Sequence, residues 1–147
     1  MKLKYILNSS LNQLSKSYFI TNEKNENIGY IEGYLNKYGE LITVVKIFSN
    51  QKEGIGYNAF EKMYKELNEI LPIKVIKGCW SSGGEFETCE NGMSTNLKMF
   101  LLCYENGNSI EESAFNTPTG KWAKKLGYSK IKVNLISKEE VLIDFEI

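Results

Sequence analysis

The chain has 147 residues, with 18 basic and 18 acidic side chains and a formal net charge of zero. A single domain of this length can bury roughly 70% of its unfolded surface, and the neutral balance gives no bulk case for nucleic-acid or membrane-surface binding, although composition does not reveal a local patch. His and Arg are both absent, which excludes imidazole bases, imidazole metal ligands and bidentate guanidinium clamps; any phosphate must be held by backbone N–H groups and lysines.

In chain order, residues 2–8 suit a first strand. Residues 17–23 alternate in polarity and form a second, followed by the polar turn Lys24–Asn27. Residues 27–35 read as its partner. Asn36–Glu40 reads as a hairpin loop, and the largely apolar run 41–49 as the next strand. The period then changes. Ile55, Ala59, Phe60, Met63, Tyr64, Leu67 and Ile70 fall at helical spacing, and Pro72 ends that helix. Residues 73–80 form a short apolar strand. A helix-length crossover between 41–49 and 73–80 implies a parallel pair.

Residues 81–93 contain glycines and read as a loop, after which Ser94 is placed to cap a helix carrying Leu97, Phe100, Leu101 and Tyr104. Ser109 with Glu112 has the spacing of a capping box. Thr117-Pro118 supplies an N-cap and a proline at the first helical position, with Gly127 as the stop. A terminal hairpin, 128–137 and 141–147, closes the chain. The expected fold is α+β in one domain, 1–147. It has a mixed, mostly antiparallel sheet of six to seven strands, splayed at the parallel pair 41–49/73–80, with helices on both faces.

Cys79, Cys89 and Cys103 have no CxxC spacing and no His to complete a zinc site, so no metal site is expected. An odd count fits free thiols. The opening stretch 1–13 has no apolar run suited to export and no window suits a membrane span, so a cytoplasmic protein is expected.

The junction Gln51-Lys52-Glu53-Gly54-Ile55-Gly56 concentrates the functional signal. A strand feeding a helix through a glycine turn gathers backbone N–H groups in one concave place, and the helix dipole favours an anion there. The two glycines equally serve a tight strand-to-helix turn. No Gly-Lys-Ser/Thr follows, and the third glycine of a dinucleotide fingerprint is missing.

An antiparallel meander, then Q-x-x-G-x-G at Gln51, Gly54 and Gly56, then a helix and a parallel strand, resembles the GCN5-related N-acetyltransferase family. Downstream, Asn116, Trp122, Lys125, Gly127 and Tyr128 match that family's last-helix pattern, with Thr119 in its small-residue slot. The resemblance covers residues 17–147. It implies acetyl-CoA as acyl donor, its pyrophosphate on the loop Gln51, Lys52, Glu53, Gly54, Ile55 and Gly56, with Asn116 also at the cofactor. A backbone N–H around Ile47 and Phe48 would polarise the acyl carbonyl. The reaction implied is direct transfer to a primary amine of a small molecule, peptide or protein in a ternary complex.

Three features depart from the family pattern. Ala123 stands where many members carry the tyrosine that protonates the departing thiolate. Only the stretch 9–17 lies where two helices usually wall the acceptor site. The segment 81–113 is longer than usual, which points to a rebuilt acceptor face or to a cap over bare hydrophobic surface. Ser81 or Tyr104 would replace the missing acid. Glu85 would take the amine's proton, or is a solvated loop carboxylate. Lys121 and Lys124 can approach phosphates or lie solvated on a helix. Cys79 is an acyl-carrier candidate or a small core hydrophobe. The alternative function is a catalytically reduced acyl-CoA-binding or protein-interaction module, of a kind that suits a phage or mobile element.

Overall fold

The computed structural model describes residues 2–6, 13–47, 54–83 and 95–147, which belong to two compact units, Met1–Lys74 and Val75–Ile147. Together they carry seven strands and four helices among the described residues, an α+β fold.

The first unit is a four-strand antiparallel meander with one helix: β1 (Lys2–Ile6), β2 (Gln13–Thr21), β3 (Asn27–Asn36), β4 (Glu40–Ile47) and α1 (Ile55–Ile70). Its turns are made by asparagines. The Asn36 carboxamide accepts from the Tyr38 and Glu40 N–H groups at 3.0 and 3.1 Å, and its Nδ2 donates to Glu40 Oε1 at 2.8 Å. Asn22 does the same for Lys24 and Glu26 at the preceding turn.

α1 lies on the face of the meander that carries Tyr18, Ile31, Gly33 and Leu35. It buries Ala59, Phe60, Met63 and Leu67 there, each large side chain contributing about 1.5–3 kcal/mol. Gly33 permits the close approach, because a side chain at that position would run into the Met63 thioether. The expected stripe is narrower at its end: Ile70 is 55% exposed. Beyond it Leu71 is extended, and Asn68 Oδ1 accepts the Ile73 N–H at 2.8 Å before the chain leaves the unit.

β2 begins at Gln13 rather than 17, so the polar stretch expected to be a connection is half strand. Lys16 and Tyr18 lie on the α1 side, where Lys16 Nζ is 3.5 Å from Glu66 Oε2 and the Tyr18 hydroxyl donates to the same oxygen. Polar residues are held in the strand by this contact with α1, 48 and 50 positions away.

The second unit is a three-strand antiparallel sheet in the order β5-β7-β6, made of β5 (Val75–Ser81), β6 (Lys130–Ile136) and β7 (Glu140–Glu146). Three helices cover one face: α2 (Thr95–Glu105), α3 (Ile110–Phe115) and α4 (Pro118–Lys125). That face carries Ile76, Trp80, Val141, Ile143 and Phe145, all buried. Trp80 meets Phe100 of α2 at 6.1 Å between ring centroids, and Phe145 meets Phe115 of α3 at 5.4 Å. The other face carries Lys77, Cys79, Ser81, Leu142 and Asp144.

The expected caps form. Ser109 Oγ accepts the Glu112 N–H at 3.0 Å, and Thr117 Oγ1 accepts the Gly120 N–H at 2.9 Å with Pro118 in the first turn. Gly127 takes φ 97°, ending α4 as expected. The expected cap at Ser94 lies outside the described residues. In α2, Leu97 and Phe100 are buried, while Tyr104 is 41% exposed. Among the described residues, no helix is long and apolar enough to cross a membrane.

Candidate functional site

The glycine junction leads into α1 in an uncommon way. Gly54 occupies the N-cap with φ 96° and ψ −10°, a left-handed conformation that disfavours any residue with a Cβ. Having no side chain, it offers no acceptor to the first-turn N–H groups, and no acidic residue stands in that turn. Those groups have no intrahelical partner by helix geometry. Gly54 serves the ladder only through its carbonyl, which accepts the Asn58 N–H at 2.9 Å. Among the described residues, a Cβ built at Gly54 meets no atom within 4 Å. The result is a sixteen-residue helix with its positive end uncompensated by its own cap or first turn.

Ile55 and Gly56 form the first two helical positions, both half-buried. Ile47 ends β4 at 36% exposure. Phe48, Gln51, Lys52 and Glu53, expected at the same loop, lie outside the described residues, as does Glu85. Tyr57, one turn into α1, donates its hydroxyl to Glu61 Oε2 at 2.8 Å; burial, then the Glu61 hydrogen bond and charge, push its phenol up.

The other expected site residues belong to the second unit. Asn116 is the C-cap of α3 and adjoins Thr117, the N-cap of α4. Ser81 closes β5 on the face opposite the helices, facing Glu140 in register. Tyr104 stands on α2, its ring stacked on Phe100 at 5.8 Å and 14°. The two candidate acids therefore belong to opposite sides of the sheet and do not form one site.

Cys79 lies between Lys77 and Ser81 on the face opposite the helices. It reaches solvent, yet the atoms around its sulfur desolvate it enough to push the thiol up. Lys77 pulls the other way, and Asp144 and Glu140 add to the rise. A raised thiol holds less thiolate at neutral pH than an ordinary cysteine, which argues against an acyl-carrier role. It is also not the buried core hydrophobe of the other reading.

No protein-family model, curated protein or solved structure matches this chain.

Two features of the second unit escape sequence reading. Asp144 is buried, with Oδ1 3.3 Å from Lys77 Nζ, close enough for an ion pair though not aligned as a hydrogen bond. Asn96 Oδ1 accepts the Thr119 N–H at 3.0 Å, tying α2 to the start of α4. Strand alternation would place Lys77 and Asp144 on exposed faces, but their pairing depends on the β5–β7 register. The Asn96 contact spans 23 positions and leaves no local signal.

Proposed function

We propose that this protein is an acetyl-CoA-dependent N-acetyltransferase acting on a primary amine by direct transfer in a ternary complex. The observation that carries the reading is the open N-terminus of α1. Gly54 removes both the side-chain cap and the bulk that would hold a phosphate away, and the first turn brings no competing carboxylate. Gln51, Gly54 and Gly56 fit the pyrophosphate loop of the family the sequence resembles, and residues of the matching last-helix pattern lie in and just after α4, with Thr119 and Tyr128 buried. The finer fold belongs to the same proposal: one mixed sheet, splayed at the parallel pair 41–49/73–80, with helices on both faces.

In this reading the N–H groups of Ile55, Gly56 and Tyr57 hold the pyrophosphate, Lys52 adds a point charge, and Asn116 lies at the pantetheine. The cofactor supplies an activated acyl carbon and a thiolate leaving group. A backbone N–H at Ile47–Phe48 polarises the carbonyl. A carboxylate such as Glu85, or water, takes the proton from the amine. Only one of Ser81 and Tyr104 can serve the thiolate, because they occupy opposite sides of the second unit's sheet.

Ala123 favours a second reading. At the place where the family pattern has a tyrosine, α4 presents a fully buried methyl group with no proton to give. The chain would then bind acyl-CoA without turnover, as a cytoplasmic acyl-CoA-binding or interaction module.

Calorimetric titration with acetyl-CoA, with ATP and CoA as comparisons, tests the shared part of both readings. Micromolar binding is expected, weakened at least about 100-fold in Gly54→Asp/Gly56→Asp, equivalent to about 2.7 kcal/mol. No binding by the folded wild-type protein would sink both. Mass-spectrometric detection of an acetylated product from a panel of amines then separates the enzyme from the module.

A further inference from the structure

β6 is the outer strand of the second unit's sheet. Among the described residues it pairs with β7 on one side and with no strand on the other, so alternate residues turn their N–H and C=O groups outward without a ladder partner. The strand holds no proline and no acid, and five of its seven residues are exposed, Val133 at 42% and Leu135 at 41%. The register divides its side chains. Lys130 and Lys132 stand opposite Glu146 and Asp144, on the face away from the helices, while Ile131 and Val133 stand opposite Phe145 and Ile143, on the helix-covered face. Asp144 gives its ion pair to Lys77, and neither Lys130 nor Lys132 has an ion pair among the described residues. The register shifts at Asn134, so the regular ladder runs over Lys130–Val133.

We infer that β6 is a docking edge for an extended peptide in which acidic and apolar residues alternate, added to the sheet as a further strand. Charge decides the occupant. A second copy pairing β6 on β6 would bring two lysines from each strand into one short ladder with no carboxylate to offset them. The lysines that guard the edge against self-pairing therefore select an acidic strand. A nucleic acid would meet the ammonium groups but has no amide ladder to complete the outward N–H and C=O groups. The inner side of β6 already shows the matching pattern, since β7 presents Asp144, Phe145 and Glu146 to Lys132, Ile131 and Lys130. An incoming peptide meets the same side chains from outside, with its acids beside Lys130 and Lys132 and its apolar residues beside Ile131 and Val133. Backbone bonds give the affinity and alternation fixes the register, because a slip of one residue sets the acids against Ile131 and Val133. The shift at Asn134 keeps the ladder short, which suits a transient partner. The inference rests on the second unit alone and makes no use of α1.

The test is fluorescence anisotropy with a fluorescein-labelled peptide Glu-Phe-Asp-Val-Glu-Phe-Asp, beside a counterpart that has lysine in place of each acid, both without acetyl-CoA. Saturable binding of the acidic peptide is expected, and none of the lysine peptide. Affinity should fall about tenfold in Lys130→Glu/Lys132→Glu, whose side chains are exposed and whose fold is checked by circular dichroism. Two further acidic peptides carry N-methyl groups on alternate amides, one on the odd and the other on the even positions. A ladder requires loss of binding for one set only, since only alternate amides face β6. The proposal is overturned if the acidic peptide does not bind, if the charge-reversed variant binds it as tightly, or if the two methylated peptides behave alike. It is equally overturned if hydrogen exchange finds the β6 amides protected in a dimer of the protein alone, which would give the edge to a second copy.

Discussion

The helices α1 and α4 begin in opposite ways. At α4 every early donor has a partner. Pro118 has no N–H to satisfy, the Thr119 N–H reaches Asn96 Oδ1 at 3.0 Å, and the Gly120 N–H reaches Thr117 Oγ1 at 2.9 Å. Thr117 Oγ1 also donates to the Ala114 carbonyl at 2.7 Å, which fastens α3 to α4. At α1 the cap is a left-handed glycine without a side chain, and the first turn has no acid. A helix start that is fully capped is structural; one whose own cap and first turn supply no acceptor is suited to an anion. The glycine-containing loop and the Thr-Pro cap are therefore different statements in the sequence, although both start helices.

The largest test of this contrast is Thr117→Val. It removes the cap and leaves the Gly120 N–H and the Ala114 carbonyl without their partner in a buried site. A loss of about 2–4 kcal/mol is expected in urea unfolding, with Thr117→Ser recovering most of it. A loss below about 1 kcal/mol would mean that α4 is not held by its cap. Next is Gly54→Ala, which forces a Cβ into φ 96° and should cost about 1–2 kcal/mol. An unchanged midpoint would show that the left-handed cap is not maintained in solution. Asn96→Ala should cost about 1 kcal/mol and speed hydrogen exchange at the Thr119 amide without affecting α1. The smallest effect has the opposite sign. Gly56→Ala should stabilise the unliganded protein by about 0.5 kcal/mol through helix propensity while weakening acetyl-CoA binding. If stability and affinity rise together, the open helix end is not a binding site.

Much of the fold was legible because it is governed by neighbours in sequence. Ser109, Thr117-Pro118 and Gly127 act within five positions of themselves, and the structure uses each as expected; Asn22, read as the end of a strand, instead makes the turn after β2. The stripe on α1 was legible from Ala59 to Leu67, where packing agrees with helical period. It fails at Ile70, beyond the part of α1 that packs on the sheet. The start of β2 was missed because Gln13, Ser15 and Lys16 have no apolar signal. A strand there depends on pairing with β3 and on the grip of Glu66, neither of which is local. Of the candidate site, the glycine turn that starts α1 was legible at Gly54 and Gly56. The placement of Ser81 and Tyr104 on opposite sides of the second unit's sheet was not legible, because it depends on strand and helix packing and not on neighbours in the chain.

Lys77 and Asp144 stand directly opposite one another in the β5–β7 ladder. A buried carboxylate with a partner adds little net stability, but one without a partner is very costly. A slip of one residue between β5 and β7 would turn Asp144 in among Trp80, Phe100 and Phe115. The pair thus adds the cost of a stranded carboxylate to a one-residue slip that the apolar alternation of β7 already disfavours.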